Sequence, residues 1–171
     1  MIITGKALVM GNNVNTDILH PSQFFSLDDN KVRAGFLQAA AGYEQVGAGD
    51  LSGRIILAGD NFGCGSSRET GARAFVLAGV RAIVARSLAR IFSSNVRNLG
   101  LPAVECPTLP PLIESDFEVG VDLHTWTLDI PAVSRIPKER QRFALKRLDP
   151  FWEAVIRAGG LMGFLGFNNS Q

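Results

Sequence analysis

The chain has 171 residues, of which 46% are hydrophobic and 19% charged, with a formal net charge of +1. Such a length suits one well-buried domain, and so even a charge, with no basic run interleaved with aromatics, argues against a nucleic-acid partner. No apolar run approaches the roughly 20 residues that span a bilayer, and the opening Met1-Ile2-Ile3-Thr4-Gly5-Lys6 lacks the basic start and apolar core of a secretory leader, so a cytoplasmic protein without a membrane segment is expected.

Residues 2–9 alternate as a strand, with Ile3, Ala7 and Val9 on one face. A turn-rich stretch runs from Gly11 to Pro21. Asp28 to Asn30 then cap a short helix over Val32, Phe36 and Leu37, which gives way to an Ala/Gly-rich segment up to Gly53. The centre of the chain alternates strand and helix: strand 54–58, helix 67–79, strand 81–85, helix 87–98, strand 102–105. That order predicts a parallel α/β arrangement. Pro107, Pro110 and Pro111 break the pattern. Phe117, Val119 and Val121, then Trp126, Leu128 and Ile130, alternate across a polar turn and predict an antiparallel hairpin. A last helix begins at Asp149-Pro150 and ends at Gly159-Gly160. The expected fold is α/β, a mixed sheet flanked by helices in a single domain over 1–171.

The stretch with the most chemistry is Gly59-Asp60-Asn61-Phe62-Gly63-Cys64-Gly65-Ser66-Ser67-Arg68-Glu69. It joins the apolar strand Ile55-Ile56-Leu57-Ala58 to a helix along which Ala72, Phe75, Val76 and Gly79 recur at helical spacing. At a helix N-terminus the unpaired backbone N–H groups and the dipole favour a bound carboxylate or phosphate, and Arg68 adds a planar fork suited to gripping a carboxylate in two places. Read as residues alone, the loop is equally a turn in which Ser66 or Ser67 caps the helix. It lacks the Lys-Ser/Thr ending of a phosphate loop and the full dinucleotide glycine pattern. Cys64 and Cys106 are expected to remain thiols, and with His20 and His124 they show no metal-ligand spacing, so no metal site is expected here. A mean hydropathy of +0.15 suits a chain that buries part of its surface against a partner.

The string GDNFGCGSSRE resembles the signature of the swivelling domain of the aconitase superfamily, in particular the small subunits of 3-isopropylmalate dehydratases and their homoaconitase-like relatives. The likeness continues in Asn13-Val14-Asn15-Thr16-Asp17-Ile18 with Pro21, where Asn15 stands in place of the usual Asp, and in Val80 to Phe92, Asn95, Gly100-Leu101-Pro102 and Ala158-Gly159-Gly160-Leu161. The resemblance implies a swivelling β/β/α fold and one subunit of a heteromeric hydro-lyase. Such an enzyme interconverts hydroxy-diacid isomers by dehydration and rehydration, first of all 3-isopropylmalate in leucine biosynthesis. A large subunit would carry a [4Fe-4S] cluster, with no cofactor in this chain. It further implies Ser66 as the base, Ser67 and Arg68 as carboxylate ligands, and Asp17 as the residue that steadies an active-site arginine. Asn61, Gly63, Cys64 and Gly65 would shape the loop. From the residues alone, Asp17 could equally be a turn residue and Cys64 a small packed one.

In the family, a Tyr-Leu-Arg-type loop sorts substrates by side chain, and Phe24, Phe25 and Ser26 occupy it here, with Ser26 where the arginine would stand. An apolar loop of this kind favours an alkyl branch over a third carboxylate, because an unpaired buried charge is costly. Thr70 stands where a His is common. Homoaconitate, aconitate, citramalate and 2,3-dimethylmalate are the alternative substrates, and a non-catalytic anion-binding module is the alternative class.

Overall fold

The computed structural model describes residues 1–37, 51–66, 68–112, 114–131 and 141–167. Among these residues seven strands form one mixed sheet: β1 Ile2–Met10, β2 Ile55–Ala58, β3 Ala82–Ala85, β4 Ala103–Glu105, β5 Glu118–Asp122, β6 Thr127–Ile130 and β7 Gln141–Ala144, in the order β4-β3-β2-β1-β5-β6-β7. The long first strand joins two kinds of pairing. Its first half, Ile2 to Lys6, lies antiparallel to β5, and its second half, Ala7 to Met10, lies parallel to β2. The β2-β3-β4 side is parallel throughout, and β5-β6-β7 is an antiparallel meander.

The helices are α1 Thr16–Leu19, α2 Asp29–Ala34, α3 Glu69–Leu77, α4 Arg90–Asn98, α5 Pro150–Arg157 and α6 Leu161–Phe164, with a 3₁₀ turn at Ser22–Phe24. Every residue of β2 and β3 is buried. Their unbroken Ile/Leu/Val/Ala runs are what a parallel strand covered on both faces requires. Successive side chains of a strand point to opposite faces, so Leu8, Met10, Ile56 and Ile83 join one core while Ala7, Ile55, Leu57 and Val84 join the other. The first core contains four packed rings: Phe75 meets Phe36, Phe62 and Phe92 edge-on at 4.6, 6.0 and 5.4 Å. The second contains the hairpin residues Val119, Val121, Leu128 and Ile130.

The expected elements are present, with shifts that have physical causes. The helix expected at 87–98 starts at Arg90, because residues 87–89 run extended: Phe62 N–H donates to Ser87 O and Ala89 N–H to Phe62 O, a parallel bridge. The helix expected from residue 67 starts at Glu69. Within the turn-rich stretch the short helix α1 forms under the Asn15 cap, whose side chain accepts from the Asp17 amide at 2.7 Å. α2 ends at Ala34, so Phe36 and Leu37 are buried beyond it; Gly35 lets the Phe24 ring lie where its Cβ would be, 2.2 Å from Phe24 Cγ. β7 and α6 carry no pattern strong enough for the sequence reading to register. Residues 38–50 of the Ala/Gly-rich segment lie outside the described residues.

Candidate functional site

The loop after β2 folds around the segment after β1. Gly63 N–H donates to Val14 O at 2.9 Å, Thr16 N–H donates to Cys64 O at 2.8 Å, and Asn15 and Cys64 form a parallel bridge. Asn61, at φ 55, donates its side-chain amide to Asn13 Oδ1 at 3.0 Å and its backbone N–H to Ser87 Oγ at 2.8 Å. Two glycines are required for this geometry. Gly63 has φ 84 and lies against Phe92, whose ring a Cβ would meet at 2.3 Å. Gly65 has φ 109, and a Cβ there would come within 2.2 Å of Asn15 Oδ1 and 3.0 Å of Asp17 Oδ2. Side chains rarely adopt such a backbone, and here there is no space for one. Cys64 is half-buried and contributes its backbone carbonyl.

The bareness of Gly65 lets the Asp17 carboxylate reach Ser66. The Ser66 amide donates to Asp17 Oδ2 at 3.0 Å and the Ser66 hydroxyl donates to Asp17 Oδ1. Those two bonds, hydroxyl first and amide second, hold the Asp17 carboxyl below the usual carboxylate range against a small opposing effect of burial, and the charge of Arg68 adds to the lowering. Ser66 is therefore not a helix cap. Arg68 occupies the N-cap position of α3 with no side-chain capping bond, so the first N–H groups of α3 are left unclaimed by a cap. Glu69 lies in the first turn, where its charge suits the helix dipole.

Asp17, Pro21, Ser22, Phe25, Ser66 and Arg68 line one open cleft. The Arg68 guanidinium carbon lies 5.0 Å over the Phe25 ring. Among the described residues no carboxylate forms a salt bridge with it, and the Asp17 side chain is bonded to Ser66 rather than paired with an arginine. Of the three candidate loop residues only Phe25 lines the cleft. Phe24 packs over Gly35, and Ser26 Oγ accepts from the Asp28 amide at 3.1 Å. Ser67 lies outside the described residues.

Two residues that the sequence reading gave no role, Ser22 and Arg73, and Pro21 of the Asn13–Pro21 resemblance complete the surroundings. Pro21 and Ser22 follow the Asn13–Ile18 segment after Leu19 and His20 and line the cleft. Arg73, a lone polar interruption among Ala72, Ala74 and Phe75, reaches from α3 to the loop, donating from Nη2 to Leu27 O at 2.7 Å and from Nε to Asp29 Oδ1 at 3.0 Å. It thereby ties the Phe25–Asp29 stretch to the helix that the signature opens.

An iron–sulfur cluster needs three or four thiolates at one point. Cys64 is half-buried and Cys106 buried, both are free, and among the described residues no group of three His, Cys, Asp or Glu side chains is placed to hold a metal. The residues of this chain do not fit such a cluster. Among the described residues no helix is long and apolar enough to cross a membrane.

A mixed sheet whose Ser-Arg loop opens over the end of a central parallel strand defines an aconitase-type swivel domain, and residues 9–108 match the aconitase C-terminal domain model. The chain is 37% identical to the 2,3-dimethylmalate dehydratase small subunit of Eubacterium barkeri, covering 94% of each chain. It is 36% identical to the 3-isopropylmalate dehydratase small subunit of Thermodesulfovibrio yellowstonii, over 95% of this chain and 92% of that one. The solved structure of 3-isopropylmalate dehydratase from Methanocaldococcus jannaschii superposes with a TM-score of 0.78 at 28% identity, over 97% of this chain and 94% of the other. The chain belongs to the aconitase C-terminal domain family, among its dehydratase small subunits.

Proposed function

We propose that this chain is the small subunit of a heteromeric hydro-lyase that isomerises an alkyl-substituted hydroxy diacid, first of all 3-isopropylmalate, as one swivel domain over 1–171 in the cytoplasm. The observation that carries this reading is Ser66, held by hydroxyl and amide on one carboxylate, beside Arg68 in an open cleft at the start of α3. The near-full-length similarity to dehydratase small subunits supports it.

In this reading Arg68 grips one carboxylate of the substrate in two places, with the unclaimed N–H groups of α3 adding a positive field. Ser66, once its own proton has passed to solvent, acts as an alkoxide: it takes the proton from the carbon next to that carboxylate and becomes a hydroxyl again. Asp17 sets the direction of Ser66 Oγ, and while it does so it also opposes the loss of the Ser66 proton, since an alkoxide beside a carboxylate brings two negative charges together. Transfer thus needs the positive charges of the closed site. Arg68 is the one cation among the described residues that line the cleft. The second carboxylate and the leaving hydroxyl therefore fall to a partner subunit, where the [4Fe-4S] cluster of this enzyme class would accept the hydroxyl. Pro21 and the Phe25 ring favour an alkyl branch over a third, unpaired carboxylate.

The test is reconstitution. The isolated chain is expected to be inactive, and turnover of 3-isopropylmalate to appear with an iron–sulfur large subunit. Ser66→Ala should lower that turnover by about 100-fold or more with assembly intact. Turnover by the isolated chain would sink the proposal, and full turnover after Ser66→Ala would favour the non-catalytic anion-binding module. The comparable identities to dimethylmalate and isopropylmalate dehydratase subunits favour one second reading, a 2,3-dimethylmalate enzyme, which a substrate panel on the same pair separates.

A further inference from the structure

We propose that His20 is a positioning residue for Arg68, acting through the ring of Phe25. The proposal rests on the functional reading above and adds to it the means by which the arginine is held ready before any substrate arrives.

An exposed arginine at a helix start with no carboxylate partner loses rotamer freedom when it binds, a cost that pre-organisation removes. Here, among the described residues, the guanidinium is held over the Phe25 ring, with 5.0 Å between its carbon and the ring centroid. That ring is itself an exposed-loop side chain and needs a support. His20 supplies it: the imidazole stacks on Phe25 at 5.6 Å between centroids and 13° between planes. His20 is only 1% exposed, and its Nε2 lies 3.0 Å from the Val32 carbonyl of α2. A carbonyl accepts, so Nε2 carries the proton. Nδ1 is buried with no partner among the described residues, and it is left as the bare lone pair of a neutral ring. Neutrality matters for the device, because an imidazolium stacked on the same ring as a guanidinium would repel it. Burial pushes the His20 pKa down, in the direction that keeps it uncharged. From the other side of the loop, Arg73 holds the Leu27 carbonyl and Asp29, so the backbone that follows Phe25 is braced independently of its ring. The chain of support runs from α2 through His20 and Phe25 to the arginine over the cleft.

The test uses the isotope-labelled full-length chain and the same chain reconstituted with an iron–sulfur large subunit. Nitrogen-15 relaxation of the Arg68 Nε–H should report an ordered group in the wild type. Phe25→Leu should release it to an order parameter below about 0.6, and Phe25→Trp should keep it ordered. His20→Gln keeps a donor for the Val32 carbonyl and removes the flat ring. It should loosen Arg68, which it does not touch, and raise KM for 3-isopropylmalate about 2- to 5-fold with kcat held, the size of one exposed cation–π contact. Equal Arg68 order in all four proteins overturns the proposal, as does a His20→Gln chain whose melting temperature falls while Arg68 order and KM stay put. If the reconstituted wild type turned over no diacid, the functional reading would fail, and the relaxation series would still decide the positioning.

Discussion

Replacing Gly65 with alanine tests whether the signature bend is built by the close approach of Asn15 and Asp17. An alanine there would keep φ near 109, which costs a residue with a side chain about 1–2 kcal/mol. Its Cβ would also stand 2.2 Å from Asn15 Oδ1, so the Asn15 side chain must leave the Asp17 amide it caps. Loss of such a cap costs about 1 kcal/mol. The sum, about 2–3 kcal/mol, corresponds to a fall in melting temperature of roughly 5–10 °C for a chain of this size. Moving Asn15 also displaces Asp17 from Ser66, so turnover in the reconstituted pair should fall together with stability. The assay is thermal unfolding followed by circular dichroism, with Gly11→Ala as the control, since a Cβ at Gly11 meets nothing within 4 Å. A Gly65→Ala chain that melts within about 1 °C of that control would refute the reasoning.

Arg73→Ala should free the loop from Phe25 to Asp29, so limited proteolysis should cut there faster than in the wild type, and KM should rise a few-fold with kcat little changed. Unaltered proteolysis would mean the arginine is not the brace. Acid should weaken the fold through His20. Burial lowers its folded pKa below the ordinary 6.5, so the unfolded chain takes up a proton that the folded chain refuses. Stability is then complete above about pH 6.5 and declines below it by up to about 1.4 kcal/mol per unit, and His20→Gln should flatten that decline in urea titrations between about pH 7 and pH 5. Burial raises the pKa of the Cys106 thiol, so an aromatic disulfide reagent should reach Cys64 in the native chain and Cys106 only on unfolding. Equal rates for the two would contradict the packing of Cys106.

Strands and helices with strong periodicity were legible because their signals are local. Ile55 to Ala58 and Ala82 to Ala85 are unbroken apolar runs, and each lies in the sheet with both faces covered. The Asp149-Pro150 start and the Asp28 cap are likewise local chemistry, and both side chains accept the bonds expected of caps. β7, by contrast, reads Gln-Arg-Phe-Ala with half-buried and exposed residues. As the last strand of the meander it is specified by its pairing with β6, which no window of sequence contains. The same holds for the start of α4, which is delayed because residues 87–89 pair with Phe62 across the chain.

The sequence alone placed this protein in its class through the ordered string GDNFGCGSSRE and the segments that resemble the same family before and after it, because such a signature is a matter of residue type and order; the residues of the turn by themselves left a helix cap equally open. Tertiary structure alone decided what each of those groups faces. Ser26 and Phe24 sit as close to the cleft in sequence as Phe25 does, yet Gly35 gives the Phe24 ring a notch to fill and leaves Phe25 to stack between His20 and Arg68. Asp17 meets Ser66 because Gly65 has no side chain to separate two segments that lie 49 residues apart. Contacts of that range depend on where the sheet sets its strand ends, a property of the assembled fold that no local pattern encodes.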